Sequence, residues 1–309
     1  MISQNNGVIN ELIRSGADMG YHSIEQLVSE CEKKHCELWQ IIMQDNANEH
    51  MISEKQVFDN MRSMYSAMKN ADNNYDKKLK SPSGMAGGDG ELMRQYNAAG
   101  NNICGDYIAK VMEKALKMGE SNACMKRIVA APTAGSCGVI PAVFIAFEEI
   151  YNAMEEDVVK ALFISAGIGS VIAQNASIAG ASGGCQAEIG SASAMAAAGL
   201  VYLQGGDVRK IVNASAIALK SMLGLTCDPV CGLVEVPCIK RNVSGAVNAI
   251  TAAQMSMAGI TSVITPDEVI ESMKRIGDIM PACLKETSKE GLAVTKTAEN
   301  IKNALDKLP

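Results

Sequence analysis

The sequence predicts an all-α globular fold. Its 309 residues are 48% hydrophobic and 20% charged, which is the balance of a chain that buries a large core. Apolar residues recur at helical spacing along most of the chain, and the alternating β-branched and aromatic runs typical of strands are scarce. We expect a single domain over residues 1–309, in which residues 1–79 form polar N-terminal helices and residues 80–295 form a binding core.

Two capping signals open the N-terminal helices. In HSIEQLVSECEKKHCELWQIIMQ, residues 22–44, Ser23 precedes a glutamine by three positions, and apolar residues then follow at helical spacing. This pattern predicts one helix, and a second capping pair at Ser53 predicts the next. Cys31 and His35, four apart, could share a metal-binding helix face, but the amphipathic pattern favours an ordinary surface helix.

Seven further helices are separated by glycine or proline signals. Their predicted ranges are 103–118, 140–155, 157–180, 190–203, 207–222, 242–259 and 266–279. The last begins with a cap at Thr265, a first-turn proline and a capping-box partner at Glu268. The apolar stretch 161–180 is interrupted by polar residues and has no basic flank, so we expect a buried central helix and no membrane span.

Charge and the N-terminal sequence exclude several classes of partner. The net charge of −6, with no basic block, makes a nucleic acid or an anionic membrane an unexpected partner. The opening residues MISQNNGVINELIRSGADMG lack a basic region followed by an apolar one, as an export signal would require. We therefore expect a cytoplasmic protein that binds a small molecule or another protein.

Cysteine is concentrated in two irregular stretches. GLTCDPVCGLVEVPC, residues 224–238, holds Cys227, Cys231 and Cys238 between prolines that exclude a regular helix or a central strand. Cys185 lies upstream in the glycine-rich GASGGCQAEIG. Ten cysteines in a chain without an export signal indicate reduced thiols, most of them buried as small apolar side chains, or metal ligands.

The spacing leaves the kind of site open. Cys227 and Cys231 fit the short paired spacing of structural zinc sites loosely, but the other cysteine spacings do not, and all three histidines lie in the N-terminal third. An iron–sulfur cluster tolerates irregular spacing and a cysteine close to a proline. From the spacing alone, a metal centre and incidental buried thiols both remain open.

Longer motifs carry a family resemblance. GGCQAEIGSASAMAAAGL and GLTCDPVCGLVEVPCIKRN, together with SPSGMAGG, APTAGSCGVIPA and KETSKEGLAV, closely resemble the α chain of the iron–sulfur-dependent L-serine dehydratases over about residues 80–295. The resemblance implies a 4Fe–4S cluster held by Cys185, Cys227 and Cys238, with one iron open to substrate and no pyridoxal phosphate (PLP). Cys231 stands where the family commonly has glycine, and we expect it and Cys137 to lie near the site without ligating.

The implied reaction is β-elimination of water from L-serine, giving pyruvate and ammonia. The resemblance implies that two glycine-rich loops, SPSGMAGGD and PTAGSCG, belong to the substrate pocket. The amides of PTAGSCG, which directly precede a helical run, could form an anion site. The candidate residues of the two loops are Ser81, Ser83, Gly84, Thr133, Ala134 and Gly135.

The general base is left open among four residues near the motifs. These candidates are Glu188, Asp228, Lys240 and Lys285. Asp228 could instead form a side-chain turn beside Pro229, and Lys240 with Arg241 could offset the charge of the cluster or substrate.

The resemblance also implies a partner. The chain begins almost directly with its helices, like the α subunit of the two-chain form, so a separate β subunit and an oligomer are expected. Its end, NALDKLP, lacks the terminal cysteine that plugs the open iron in some single-chain members. The alternatives are cluster-dependent threonine dehydration or cysteine desulfhydration, a non-catalytic iron–sulfur sensor or scaffold, and a cysteine hydrolase using Cys137.

Overall fold

The computed structural model describes residues 20–307, which form 13 α-helices and no β-strand. The all-α prediction is therefore confirmed for this part of the chain. The expectation that the chain has no export signal rests on residues 1–20, and all of these except Gly20 lie outside the described residues. The helices are α1 (Ile24–Lys34), α2 (Leu38–His50), α3 (Glu54–Asn73), α4 (Asp89–Ala98), α5 (Gly105–Ala123), α6 (Val139–Tyr151), α7 (Glu155–Asn175), α8 (Gly180–Gly183), α9 (Ser191–Leu203), α10 (Val208–Lys220), α11 (Cys238–Met257), α12 (Pro266–Ile279) and α13 (Lys296–Leu305).

The single helix predicted over residues 22–44 is wrong. Helix α1 ends at His35, which adopts a left-handed conformation, and α2 begins with its own capping box at Glu37. The apolar spacing continues through this break, which is why the sequence pattern concealed it. Cys31 is buried on α1 while His35 is exposed at the helix end, so the two side chains do not share a helix face.

The seven helices predicted beyond residue 100 are all present; the one over 266–279 has the predicted ends, and the other six have at least one shifted end. Helix α7 stops at Asn175 rather than at residue 180, and α11 starts at Cys238 rather than at residue 242. Helix α4 was missed because its cap is not local. The carboxylate of Glu120 accepts hydrogen bonds from the amides of Asp89 and Gly90 at 2.7 and 3.0 Å, satisfying the start of α4 from another helix.

Helix α9 lies at the centre of the fold, packed against α6, α7, α10 and α11. Its small residues permit close helix contacts: a Cβ on Gly199 would lie 2.4 Å from the ring of Phe144 and 2.9 Å from the carbonyl oxygen of Ala161. One continuous hydrophobic core runs from Ile24 to Met273. Such a core is consistent with one domain, and the boundary proposed at residue 80 stays a prediction.

One described segment, Ala134–Tyr151, is long and apolar enough to cross a membrane. It is 67% buried inside the protein, as expected for a core helix.

A buried ion-pair cluster joins α3, α5 and α6. The Lys114 Nζ lies 2.7 Å from Asp72 Oδ2 and 2.8 Å from Glu149 Oε1, and the Lys117 Nζ lies 2.7 Å from Asp72 Oδ1. The side chains of Lys114 and Asp72 are only 2% and 4% exposed. Burial opposes ionisation of Asp72, but the two lysines outweigh it and hold the pKa of that carboxyl below its usual value.

We expect Asp72→Asn to lower the free energy of unfolding by about 3–5 kcal/mol at neutral pH, because it leaves buried ammonium charge without its main partner. The contribution of Asp72 is present above its unfolded pKa of about 3.9 and is lost as the pH falls through the lower folded value. Urea unfolding at neutral and acidic pH measures both effects.

The matched control is Glu271→Gln, which breaks an exposed pair with Arg275. Both side chains of that pair are more than 60% exposed, at 63% and 68%, so its loss should cost under about 1 kcal/mol. Equal losses in the two variants would contradict the importance of the buried pair.

Candidate active site

The three predicted cysteine ligands lie on three separate segments. Cys185 precedes a π-helical turn, Cys227 lies in the loop after α10, and Cys238 is the first residue of α11. All three are buried. One carboxylate oxygen of Glu188 and the sulfur atoms of Cys185 and Cys227 lie within 4.8 Å of one another, and Cys238 is close enough for Cys185 to influence its pKa. Cys185, Glu188 and Cys227 together could hold a metal ion.

Gln186 ties the first segment to the second. Its backbone amide donates to the carbonyl of Leu225 at 3.0 Å, and its Oε1 accepts from the amide of Gly224 at 2.9 Å. Its Nε2 donates to the carbonyl of Met273 on α12 at 3.1 Å. Because Gln186 is fully buried, these bonds hold the Cys185 turn against the start of the Cys227 loop.

The KETSKEGLAV segment braces the Cys227 loop from the other side. The amide of Cys227 donates to the carbonyl of Leu284 at 2.9 Å, and the amide of Glu286 donates back to Cys227 at 2.8 Å. Asp228 Oδ2 accepts from the amide of Leu292 at 2.9 Å. Residues far apart in the sequence therefore fix the backbone on both sides of the Cys227 thiol.

The guanidinium of Arg241 lies near the same thiols. It donates to the carbonyl of Thr226 at 2.8 Å and pairs with Asp228 Oδ1 at 2.8 Å. A hydrogen bond from Cys227, aided by Arg241, lowers the pKa of the Cys185 thiol despite its burial. The same thiol pair raises the pKa of Cys227, and burial raises that of Cys238 to about 12. Cys185 is thus the thiol nearest to ionisation.

Glu188 lies between the thiols and the PTAGSCG turn. Its carboxylate oxygens lie 3.0 and 3.1 Å from the position of a Cβ on Gly135, and one lies 2.9 Å from that on Gly180. Burial raises the pKa of Glu188 to about 7, opposed by a hydrogen bond from Thr133 and assisted by the charge of Glu286. No bulkier residue could replace either glycine without displacing this carboxylate.

Asn242 fixes that turn to the helix that carries Cys238. Its Nδ2 donates to the carbonyls of Gly135 at 2.8 Å and Cys238 at 3.0 Å, and its Oδ1 accepts from the amide of Gly138 at 2.8 Å. The predicted substrate residues Thr133, Ala134 and Gly135 therefore lie beside the cysteine group. Sequence reasoning missed Asn242, four residues after Cys238 on the same helix.

The other predicted substrate loop contacts a buried carboxylate. Ser81 Oγ and Ser83 Oγ donate to Glu235 Oε2 at 2.8 and 2.6 Å, while Gly84 turns the chain with a φ of +78°. Glu235 is 4% exposed and lies three residues before Cys238. The only sequence feature that could have pointed to Glu235 is its position in the VEV segment between Cys231 and Cys238.

The other three candidates for the general base are Lys240, Asp228 and Lys285, and the first two already have ion-pair partners. Lys240 is 60% exposed and forms a close ion pair with Asp89, and both carboxylate oxygens of Asp228 have partners. Lys285 is half-buried, with its backbone beside Cys227.

Neither Cys231 nor Cys137 belongs to the group of Cys185, Glu188 and Cys227. Cys231 adopts a left-handed conformation with a φ of +56° and is half-buried. The Cys137 sulfur is buried and lies 3.8 Å from the carbonyl oxygen of Met118, and burial raises the pKa of this thiol to about 12.

Comparison with known families agrees with this arrangement. The family described as serine dehydratase alpha chain matches residues 33–293, which include every cysteine of the group. The chain belongs to the serine dehydratase alpha chain family. The resemblance first seen in the motifs is thereby confirmed.

Relatives of this alpha chain include two proteins of similar length. A probable L-serine dehydratase alpha chain of Bacillus subtilis (strain 168) is 42% identical over 288 residues, covering 92% of this chain and 95% of the relative. The L-serine dehydratase alpha chain of Peptoniphilus asaccharolyticus is 37% identical over 282 residues, covering 91% and 97%. An L-serine dehydratase of Escherichia coli (strain K12) is 43% identical over 207 residues, covering 65% of this chain but only 46% of that longer protein.

Proposed function

We propose that this chain is the α subunit of a two-chain L-serine dehydratase that removes water from L-serine to give pyruvate and ammonia. The observation that carries the proposal is the buried group of Cys185, Cys227 and Glu188 beside the PTAGSCG turn, with Cys238 close enough to Cys185 for its charge to raise the Cys238 pKa. Family membership supports the reaction, since the relatives of similar length bear the name of L-serine dehydratase alpha chains.

The donor set suits a 4Fe–4S cluster held by Cys185, Cys227 and Cys238. Three thiols on irregular loops match the ligation of such clusters, which need sulfur ligands but no fixed spacing. Gly180 supports this: a Cβ there would lie 3.1 Å from the Cys227 sulfur, so a glycine leaves room beside the ligand. When bound, the cluster would supply a Lewis acid that makes the substrate hydroxyl a better leaving group.

The turn at Thr133, Ala134 and Gly135 would bind the substrate carboxylate. Amides in the first turn of a helix have no acceptor within the helix, and they point toward an incoming anion. Here the turn runs directly into α6, and Asn242 holds it against the start of α11. Direct contact of the substrate with Ser81, Ser83 or Gly84 stays a prediction, because both hydroxyls donate to Glu235.

Glu188 is the general base we favour. The α-carbon of serine lies between its carboxylate and the carbon that carries the hydroxyl. A base for the α-proton must therefore lie between the carboxylate-binding turn and the metal ligands, and Glu188 occupies that position. It would accept the α-proton as hydroxide leaves, and the released aminoacrylate would tautomerise and hydrolyse to pyruvate and ammonia.

A separate β chain and a cytoplasmic location complete the proposal. The name "alpha chain" of the similar relatives supports a second subunit. The cytoplasmic location follows from the reduced cysteines that the site requires.

The test is anaerobic reconstitution of the purified chain with iron and sulfide, with and without its β chain. Cluster absorbance together with pyruvate formation from L-serine is the expected result. Threonine and cysteine as substrates test the related eliminations, through 2-oxobutyrate and sulfide. Cluster absorbance without turnover on any substrate, even with the β chain, would instead indicate a sensor or scaffold.

Gly180→Ala should reduce cluster binding, because the new methyl group would lie against the Cys227 sulfur and the Glu188 carboxylate. We expect a destabilisation of about 1–3 kcal/mol from overpacking, together with less iron retained per chain. Gly183→Ala on the same short helix is the control, since its methyl group would meet Ala187 instead. If both variants retained iron like the wild type, the space beside Cys227 would not matter for the cluster.

A further inference from the structure

Arg241 connects the segments that carry all three proposed ligands. It follows Cys238 by three positions on α11, so the two side chains lie on one face of the helix. Its guanidinium bonds to the residues on both sides of Cys227, at the carbonyl of Thr226 and the carboxylate of Asp228. It is also close enough to Cys185 for its charge to lower the pKa of that thiol.

Only a guanidinium has the geometry for this set of contacts. Arginine presents five N–H donors in a rigid plane, whereas lysine offers one compact ammonium on a flexible stem. The Arg241 side chain is 17% exposed and that of Asp228 is 6% exposed. Ordering this side chain in a mostly buried position fixes the Cys227 loop against the helix that carries Cys238.

The charge of Arg241 also suits its position. Three thiolates bring negative charge into a buried site, which is costly without a nearby positive group. Asp228 balances part of the guanidinium charge and holds it beside the Cys227 loop. The neighbouring Lys240 does not share this role, because its side chain is 60% exposed and pairs with Asp89.

We propose that Arg241 is a positioning residue that sets the geometry of the three-cysteine site and tunes the cluster it holds. This inference rests on the proposed function, since it presupposes the cluster. Asp228 acts through Arg241 by holding its guanidinium, which gives that buried carboxylate a role other than that of the base.

The experiment compares Arg241→Gln, Arg241→Lys and the wild type after anaerobic reconstitution. Resistance of the bound iron to a chelator measures retention, the reduction potential of the cluster reports the local charge, and circular dichroism reports folding. We expect Arg241→Gln to lose retention by about 10- to 100-fold, the range for partners that support metal ligands. Its potential should fall, because a positive charge near the cluster favours reduction.

Arg241→Lys separates position from charge. We expect it to restore the potential while retention stays below that of the wild type, because one ammonium cannot replace the donor fork. Full recovery of retention in Arg241→Lys would overturn the positioning role. This variant also carries the test if Arg241→Gln does not fold.

Arg275→Gln is the matched control, since it removes the same charge from a side chain that is 68% exposed. It should match the wild type in retention and potential. If the wild type binds a cluster and Arg241→Gln equals it in both iron retention and reduction potential, this inference is overturned but the proposed function is not. A wild-type chain that binds no cluster would overturn the proposed function together with it.

Discussion

Replacement of Cys238 by alanine is expected to abolish both cluster binding and pyruvate formation. Cys238 is buried at the start of α11 and close to Cys185, so its loss would leave only two thiols for the cluster. The loss of retained iron should exceed the roughly 10- to 100-fold cost of removing a supporting partner, because a direct ligand is removed. Iron and sulfide per chain, measured after anaerobic reconstitution and desalting, give the result.

Cys231→Ala is the control. Cys231 lies in the loop that leads to Cys238, is half-buried and has a left-handed backbone conformation, and we do not expect it to be a ligand. It should keep its iron and its activity. Equal loss of iron from Cys231→Ala and Cys238→Ala would contradict the proposed ligand set and indicate a fourth thiolate.

Glu188→Gln is expected to lower kcat by about 100- to 10,000-fold, the usual contribution of a general base. The amide has nearly the shape of the carboxylate but cannot take up the α-proton. KM for serine should change little, because the turn at Thr133 that would bind the substrate carboxylate is retained. Steady-state kinetics on the reconstituted two-chain enzyme, with iron content measured in parallel, provide the test.

The matched control is Glu286→Gln. Glu286 is exposed, and its charge influences the pKa of Glu188, so the variant removes the same charge from the neighbourhood without changing the proposed base. Its kcat should stay close to that of the wild type. Loss of iron rather than of kcat in Glu188→Gln would show that Glu188 is a ligand and not the base.

Local signals predicted most helices but not all of their ends. The capping boxes at Ser53 and Thr265 are present in the structure and begin α3 and α12. The break at His35 was hidden because a left-handed residue can interrupt a helix without disturbing the apolar spacing. Helix α4 was hidden because Glu120, which caps it, lies 30 residues from Gly90.

The candidate site shows the same division. The cysteines and Glu188 lie in recognisable motifs, so they were named from the sequence. The contact of Glu235 with Ser81 spans 154 residues, and that of Asn242 with Gly135 spans 107, which no local pattern encodes.

By itself, the sequence determined the helical class of the fold, the family and the cysteines available for a metal centre, because these depend on residue type, period and motif. Only the tertiary structure decided which groups meet: Glu188 lies between the thiols and the PTAGSCG turn, and Arg241 bonds to the residues on both sides of Cys227. The physical reason is that hydrogen bonds and ion pairs depend on distances of a few ångströms, and packing of the helices around α9 sets those distances.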